Sequence, residues 1–309
     1  MADNYLRVCR LIAGGKTYDL NDMQVEFLVR QKRIQTPATA EIRVLNLADT
    51  TKNAICIQNQ SVILEAGYRD HYGAIFKGTI KQGNRGKING TDTYMDLFCG
   101  DGDQGYVKAQ VIKTLAKGST RQDVVNECLK AFAPYGITKG FMSPKLNDGF
   151  TYPQAVPLFG LARDIMRRVA KDIGADWSFE SMKLNVVHKT EALPGGDIVI
   201  NSQTGMVGRA TQTFNGIIVR TLLNPSMYKD RIVKIDEASI DRAAPDPTFG
   251  YDNPNNAKIP SIATDGRYRV YGVDRTGSMR GNEWFDTLYC AAAKSTDTFL
   301  PKALMDFQQ

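Results

Sequence analysis

The sequence predicts an α+β fold that is mainly β, with a strand-rich part at each end and a smaller helix-containing part between them. Apolar and polar side chains alternate over most of the first hundred residues, which is the pattern of half-buried strands. The spacing changes to that of amphipathic helices in the middle of the chain and returns to alternation afterwards. We therefore predict three domains, at residues 1–105, 106–190 and 191–309.

The first part contains short strands joined by polar or glycine-containing turns. In one of them Val25, Phe27 and Val29 alternate with polar residues, and Asn89-Gly90 is a strong hairpin signal before another. The predicted strands are 23–31, 40–44, 61–68, 74–81 and 91–99. Several short strands with such turns are typical of a sandwich or a barrel.

The middle part contains two predicted helices. Ser119 and Gln122 form a capping box, after which apolar residues recur at helical spacing as far as Pro134. A second helix is predicted from about Leu158 to Ile173, with Gly174 as its C′ residue. We interpret residues 135–157 as a connecting arm and residues 177–187 as a hairpin.

The last part returns to alternating patterns. They predict strands at residues 197–200, 216–223, 231–235, 268–273 and 286–291. Residues 241–261 are rich in Pro, Asn and Asp, and this composition predicts a long surface loop.

Composition argues against several classes of protein. Of the 309 residues 42% are hydrophobic and 23% are charged, which is ordinary for a globular protein, and no apolar run is long enough to span a bilayer. We see no signal peptide and five scattered cysteines without a C-x-x-C pair, so we expect folding in a reducing cytoplasm and no structural metal. Only His71 and His188 could act as histidine bases, which weighs against acid–base catalysis.

Two segments resemble ligand-binding motifs only in part. Residues 10–17 (RLIAGGKT) nearly match a phosphate-binding loop, but Arg10 replaces its first glycine and no helix follows, so we predict a turn between strands. Asp101-Gly102-Asp103 begins like a calcium loop, but Ile112 stands where the bidentate glutamate is required. We predict a polar turn there, while loose cation binding stays open. No cofactor site is predicted.

The net charge of +6 permits an acidic partner. Arginines and lysines gather along the second helix and near the end of the chain, and acidic residues interrupt both groups. We interpret both groups as solvated faces rather than a nucleic-acid site. The residues concerned are Arg163, Arg167, Arg168 and Lys171, and then Arg267, Arg269, Arg275 and Arg280.

Three stretches, in order, resemble the baseplate or tail-tip hub proteins of long-tailed bacteriophages. The first covers residues 25–103 and includes TAEIRVLNL at 39–47, SVILEAGY at 61–68 and IFKGTI at 75–80. The second is GMVG at 205–208 with GIIVRTLLNP at 216–225 and RIVKI at 231–235. The third is GRYRV at 266–270, continuing to GNEWFDT at 281–287. Asp274 and Ser278 depart from the family pattern, which often has His and Asp there.

The resemblance implies two tube-like antiparallel β-barrel domains flanking the smaller helix-containing domain. It further implies a homotrimer that adapts a sixfold tail tube to a threefold spike and encloses a channel. The implied partners are the ring of tail tube protein, a central spike or tip protein, other baseplate proteins and the C-terminus of the tape-measure protein. DNA would only pass in transit, so we expect the positive charge to lie away from the channel wall or to be paired locally.

The implied place is the distal end of the phage tail in the virion, after folding in the host cytoplasm, without membrane insertion and without enzymatic activity. Leu222, Leu223 and Pro225 are candidate contacts between copies, and the alternative is that they fill the core of the second barrel. Two other functions stay open at this point: a hub-associated cell-wall hydrolase, with residues 106–189 as its only possible location, and a nucleic-acid-binding β-barrel module.

Overall fold

The structure of the chain is a computed structural model. It describes residues 6–32, 36–88, 90–213, 216–236, 239–241, 263 and 265–293. Most of the predicted loop at 241–261 lies outside these residues, as does Asn89 of the predicted hairpin. No helix in the described part is long and apolar enough to cross a bilayer.

The first strand-rich part consists of seven strands and one short helix. The strands are β1 (Arg7–Ala13), β2 (Lys16–Asp19), β3 (Val25–Lys32), β4 (Thr39–Leu45), β5 (Ser61–Tyr68), β6 (His71–Ile88) and β7 (Asp92–Gly100), and α1 (Asp49–Ile55) lies between β4 and β5. The five predicted strands are confirmed. Residues 10–17 form the hairpin of β1 and β2, with a turn at Gly14 and Gly15 where φ is positive, so the predicted turn is also confirmed.

The middle part begins with helix α2 (Asp103–Lys108), which the sequence patterns did not predict. The next elements are β8 (Gln110–Leu115), α3 (Arg121–Phe132), β9 (Thr138–Met142), β10 (Val156–Leu161), α4 (Ala162–Asp172), β11 (Ala175–Glu180) and β12 (Lys183–His188). The capping box of α3 exists but is shifted by one residue, because Thr120 and Asp123 exchange the reciprocal bonds. The arm predicted at 135–157 contains β9, which pairs in parallel with β12.

The prediction of a helix starting at Leu158 is wrong at its first turn. Residues 156–161 form β10, which pairs with β8, and the helix begins only at Ala162. Gly160 has φ of 125°, which a helix cannot contain, and Leu158 faces the core from the strand.

The last part contains β13 (Ile198–Ile200), β14 (Ala210–Thr213), β15 (Gly216–Leu222), β16 (Ile232–Ile235), β17 (Ile240–Asp241), β18 (Arg267–Ser278) and β19 (Trp284–Ala292). The five predicted strands are confirmed. β18 is long enough to have two neighbours on one side: its first residues pair with β16, and residues 272–278 pair with β3.

The pairing of β18 with β3 joins both strand-rich parts into one sheet, in the order β17-β14-β15-β19-β18-β3-β4-β7-β6-β5-β1-β2. The order is open: among the described strands, hydrogen bonding between strands closes neither part into a barrel of its own. The chain is thus mainly β, as predicted, but the strands do not form two separate closed barrels. The physical reason is that β18 bonds to the first part along half of its length.

Buried apolar residues form three clusters. The first lies among β1 to β7 and also contains Leu223 and Trp284, the second lies within residues 109–186, and the third lies among β13 to β19. Two buried side chains bond across the first part: Trp284 Nε1 donates to Gly67 O at 3.2 Å and Gln31 Nε2 donates to Ile75 O at 3.2 Å. Cys9, Cys99, Cys128 and Cys290 are buried and free, as expected of core residues.

Candidate functional site

The central strands of the sheet present one continuous side away from the core clusters. On β3 the side chains of Val25, Phe27 and Val29 are buried, so Glu26, Leu28 and Arg30 point to the other side. The same alternation continues on β4, β7 and β19 and over residues 273–277 of β18. We call this side, from β19 through β18, β3, β4 and β7 to β6, the outer face.

Charges on the outer face alternate across the strands. Glu26 on β3 lies opposite Arg43 on β4, and Arg43 lies opposite Asp96 on β7. Arg43 Nε and Nη2 donate to the two oxygens of Asp96 at 2.7 and 2.8 Å, and this hydrogen bonding is the main reason why the pKa of Arg43 is raised. Opposite charges that face each other on neighbouring strands stabilise a sheet. The positive charge of Arg43 is therefore neutralised by Glu26 and Asp96.

A second set of charges on the outer face is neutralised in a similar way. Arg30 Nη1 lies 3.5 Å from Glu41 Oε1, and Arg30 also lies opposite Asp274 of β18. Asp274 Oδ2 accepts a hydrogen bond from the Tyr289 hydroxyl at 3.1 Å. Burial raises the pKa of Asp274, and burial together with the adjacent Asp274 raises the pKa of Tyr289 to about 12. Asp274, one of the two residues that depart from the pattern of the resembled family, is therefore bonded to a side chain of the same molecule.

A shallow groove of about 540 Å³ runs along the outer face over β18, β3, β4 and β7. Leu28 and Phe98 supply apolar surface, and Phe98 is 37% exposed. Arg220 on β15 covers the ring of Phe285 at 4.1 Å. The outer face is thus a mixture of paired charges and covered rings, without a concentration of free cations among its described residues.

The predicted contact residues occupy an intrachain junction. Leu223 is buried in the first core cluster, to which Leu222 adds a half-buried side chain. Pro225 is buried, and its Cβ lies 3.4 Å from the position that a Cβ on Gly73 would take. The three residues therefore lie between the last part of the chain and its own first part.

The same junction contains ionic groups that the sequence patterns did not indicate. Arg275 and Asp286 are both fully buried, with Arg275 Nε 3.7 Å from Asp286 Oδ1. Arg275 donates to Ile75 O at 2.8 Å and to Met227 O, and Asp286 Oδ2 accepts from Asn224 N at 2.9 Å. The prediction of a solvated arginine group near the end of the chain is wrong for Arg275, and also for Arg269, which is 3% exposed. The sequence signal that could have revealed this pair is that Arg275 and Asp286 each lie at an inward position of a strand with alternating burial.

A second buried ionic group attaches the middle part. Asp101 Oδ1 accepts from Met182 N at 2.8 Å, at a turn where Ser181 and Met182 both have positive φ. Lys229 Nζ donates to Phe179 O at 3.0 Å, and Glu180 faces Lys229, Asp101 and Arg275. Burial raises the pKa of Asp101 to about 6 and that of Glu180 to about 7.

The carboxylates of the calcium-like segment have partners within the chain. Asp101 holds the β11–β12 turn, and Asp103 forms an ion pair with Lys81 at 2.8 Å. Among the described residues no group of three or more His, Cys, Asp or Glu side chains is placed to hold a metal. His71 is exposed at the start of β6, and His188 is half-buried at the end of β12.

No family model matches the sequence, and no curated protein matches it. Solved structures do match. The 43 kDa tail protein of prophage MuSo2 from Shewanella oneidensis has a TM-score of 0.60 at 8% identity, over 93% of this chain and 97% of that one. The tail protein from Neisseria meningitidis MC58 has a TM-score of 0.53 at 11% identity, over 93% and 96%.

A third structure extends the likeness beyond phages. It is an E. coli component of the type VI secretion system, described as structurally similar to the T4 bacteriophage tail proteins gp27 and gp5. Its TM-score is 0.53 at 9% identity, over 87% of this chain and 73% of that one. The chain thus shares the fold of these proteins over most of its length, which agrees with the resemblance to phage tail proteins.

Proposed function

We propose that this chain is a structural subunit of a phage baseplate or tail-tip hub, which assembles as a homotrimer around a channel. The observation that carries the proposal is the β18–β3 pairing, which places strands from both ends of the chain side by side with one shared outer face. Three copies arranged head to tail would extend that face around a closed ring. The fold shared with the tail proteins supports the same assignment.

The free edges of the sheet support contacts between copies. Residues 81–88 of β6 extend beyond the end of β5, so in the described structure they pair only with β7. At the other end, β14 pairs with β17 through two residues only. Unpaired stretches on a large sheet are covered by another chain or protected by charges and bulges, and head-to-tail assembly would cover these two stretches.

The outer face is suited to a channel wall through which a polyanion must pass without being held. A conduit for DNA should offer few free cations, because phosphate binding driven by counterion release would retain the DNA. Arg43 and Arg30 on this face have carboxylate neighbours. In the proposed hub the outer face lines the channel, and the C-terminus of the tape-measure protein passes through it before the DNA.

The remaining assignments follow from this role. The domains would be 1–105, 106–190 and 191–309, with the first and last acting as a duplicated pair of tube-like units that match the sixfold tube. The chain would fold in the host cytoplasm and reside at the distal end of the virion tail, between the tube ring and the spike, beside other baseplate proteins. The contact between copies predicted for Leu222, Leu223 and Pro225 stays a prediction, and only Leu222 keeps appreciable surface in one chain.

We propose a structural role rather than an enzymatic one. Glu180 of the middle part, whose pKa is raised, is 7% exposed, and the nearby Asp101 of the first part is 1% exposed, so neither carboxylate could reach a glycan strand. For the nucleic-acid alternative, the neutralised outer face offers no basic track. A lack of peptidoglycan digestion by the purified chain is the expected outcome.

The experiment that tests the hub is a measurement of solution mass by light scattering, followed by electron cryomicroscopy of the particles. We expect a trimer with a central channel whose wall is the outer face. A chain that is monomeric at every concentration, both alone and when mixed with its tail tube protein, would contradict the proposal. So would a trimer in which the outer face is turned away from the axis.

A further inference from the structure

Strands β8 and β10 form a two-stranded ribbon on the middle part, and its exposed side is apolar. Ile112 and Phe159 lie directly opposite each other on this side and are 72% and 78% exposed. These are the two largest exposed fractions among the large apolar side chains of the described residues. Two large apolar side chains exposed side by side are typical of an interaction surface.

The rest of this side of the ribbon is uncharged. Its other positions, given by the alternation from Ile112 and Phe159, are Gln110, Thr114, Pro157 and Leu161. The opposite side of the ribbon is already used, because Val111, Leu115 and Leu158 are buried in the second core cluster. We call the six outward positions the Ile112–Phe159 patch.

The chain segments that carry the patch contain basic residues and no acidic ones. Residues 104–120 and 149–163, which contain the ribbon and its flanks, include no Asp or Glu. Lys108 and Lys117 flank β8 and are exposed, without an ion pair recorded among the described residues, whereas Lys113 on the inner side pairs with Glu127 at 2.9 Å. An apolar centre with a basic rim therefore faces solvent.

We propose that the Ile112–Phe159 patch docks a partner protein segment in which apolar side chains alternate with carboxylates. An aromatic side chain at the centre of a patch supplies most of the binding free energy, and the lysines at its rim select the charge of the partner. Among the described strands β8 and β10 pair only with each other, so an extended segment could add as a strand at either edge of the ribbon, beside the patch. The proposal does not depend on the trimer or on the channel.

The experiment uses the full chain and a fluorescein-labelled synthetic peptide of alternating leucine and glutamate, followed by fluorescence anisotropy. We expect saturable binding that is about tenfold weaker for Phe159→Ser, and similarly for Ile112→Ser. The double substitution Lys108→Glu with Lys117→Glu should reverse the preference toward a peptide of alternating leucine and lysine. Ile57→Ser is the matched control, because Ile57 is 54% exposed at a distant place in the sequence and should leave binding unchanged.

Three results would overturn the proposal. The first is equal affinity of the unmodified chain for the acidic and the basic peptide. The second is binding to phosphatidylglycerol vesicles that Phe159→Ser abolishes while the acidic peptide does not bind, which would identify a membrane surface. The third is concentration-dependent association of the chain with itself that Phe159→Ser abolishes, which would identify a second copy as the occupant. Because these substitutions are at exposed positions, circular dichroism should show that each variant is folded.

Discussion

Arg275 and Asp286 form a fully buried ion pair that holds the two strand-rich parts of the chain together. The guanidinium reaches carbonyl oxygens of Ile75 in the first part and Met227 in the last, while the carboxylate accepts from the backbone of Asn224. Trp284, two residues before Asp286, lies in the core of the first part and packs edge-on against Phe27 at 5.3 Å. The junction between the parts is therefore a polar group enclosed by apolar packing.

Removing the cation from this pair should be strongly destabilising. Arg275→Met leaves Asp286 as a buried charge without its counterion and removes the guanidinium donor from Met227 O and from Ile75 O, of which Ile75 O keeps the Gln31 amide. We expect a loss of about 3–5 kcal/mol in the free energy of unfolding, measured by urea denaturation. Arg43→Met is the control: Arg43 is also in a short ion pair, but its side chain is 48% exposed, so a loss of about 0–1 kcal/mol is expected. Equal losses for the two variants would show that burial of the Arg275 pair is unimportant.

The sequence indicated strands such as β3 and β4 well, because each of them has one buried and one exposed side. The 2-residue period around Phe27 or Ile42 follows from that geometry alone and requires no knowledge of neighbours. The pairing of β18 with β3 could not be predicted in this way, since it joins residues about 240 positions apart and depends on how the whole sheet curls. The family resemblance implied two barrels but did not predict one shared sheet.

Local spacing also misled where two periods coincide. Leu158 and Leu161 continue the helical spacing of Ile165 and Val169, yet both leucines belong to β10. The buried position of Arg275 was hidden by its neighbours Arg267 and Arg269 in the sequence, which suggested a solvated group. We expected the positive charges of a channel wall to be paired locally. Which carboxylate pairs with which arginine could not be predicted, because it depends on the register between strands.

The buried acids predict a dependence of stability on pH. The pKa of Glu180 is raised to about 7, and those of Asp101 and Asp286 to about 6, in each case mainly by burial. A raised pKa in the folded state means that the folded chain binds more protons than the unfolded chain between about pH 4 and pH 7. Stability contributed by these groups is therefore present at the acidic end of that window and is lost as the pH rises through it.

Glu180→Gln tests this dependence, since the amide has nearly the same shape and does not ionise. We expect the variant to lose less stability than the unmodified chain between about pH 5 and about pH 8, measured by thermal unfolding at both values. Asp70→Asn, at the exposed turn between β5 and β6, should leave the pH dependence unchanged. If Glu180→Gln has the same pH profile as the unmodified chain, Glu180 does not contribute to it.

Close packing at the β18–β3 boundary predicts the effect of a single methyl group. A Cβ on Gly277 would overlap the ring of Phe27, which leaves no room for even an alanine side chain. We expect Gly277→Ala to cost about 1–3 kcal/mol in urea unfolding. Combining it with Phe27→Leu should recover part of the loss relative to the sum of the two single substitutions, because the smaller side chain makes room. Strict additivity of the two effects would argue against contact between them.

The paired charges of the outer face predict how the protein treats DNA. In the proposed hub, Glu41 and Asp96 neutralise Arg30 and Arg43, so the assembled chain should retard a DNA fragment weakly or not at all in a gel-shift titration. Glu41→Gln with Asp96→Asn keeps the shapes but removes the carboxylate paired with each guanidinium, so that only Glu26 and Asp274 remain opposite Arg43 and Arg30. We expect this variant to retard DNA at low salt and to lose that affinity steeply as the salt concentration rises, because its binding would come from counterion release.

Glu41→Asp with Asp96→Glu, which keeps both charges, should behave like the unmodified chain. Strong, salt-sensitive binding by the unmodified chain would instead favour a nucleic-acid-binding module, since a wall that holds phosphate groups cannot let the DNA pass.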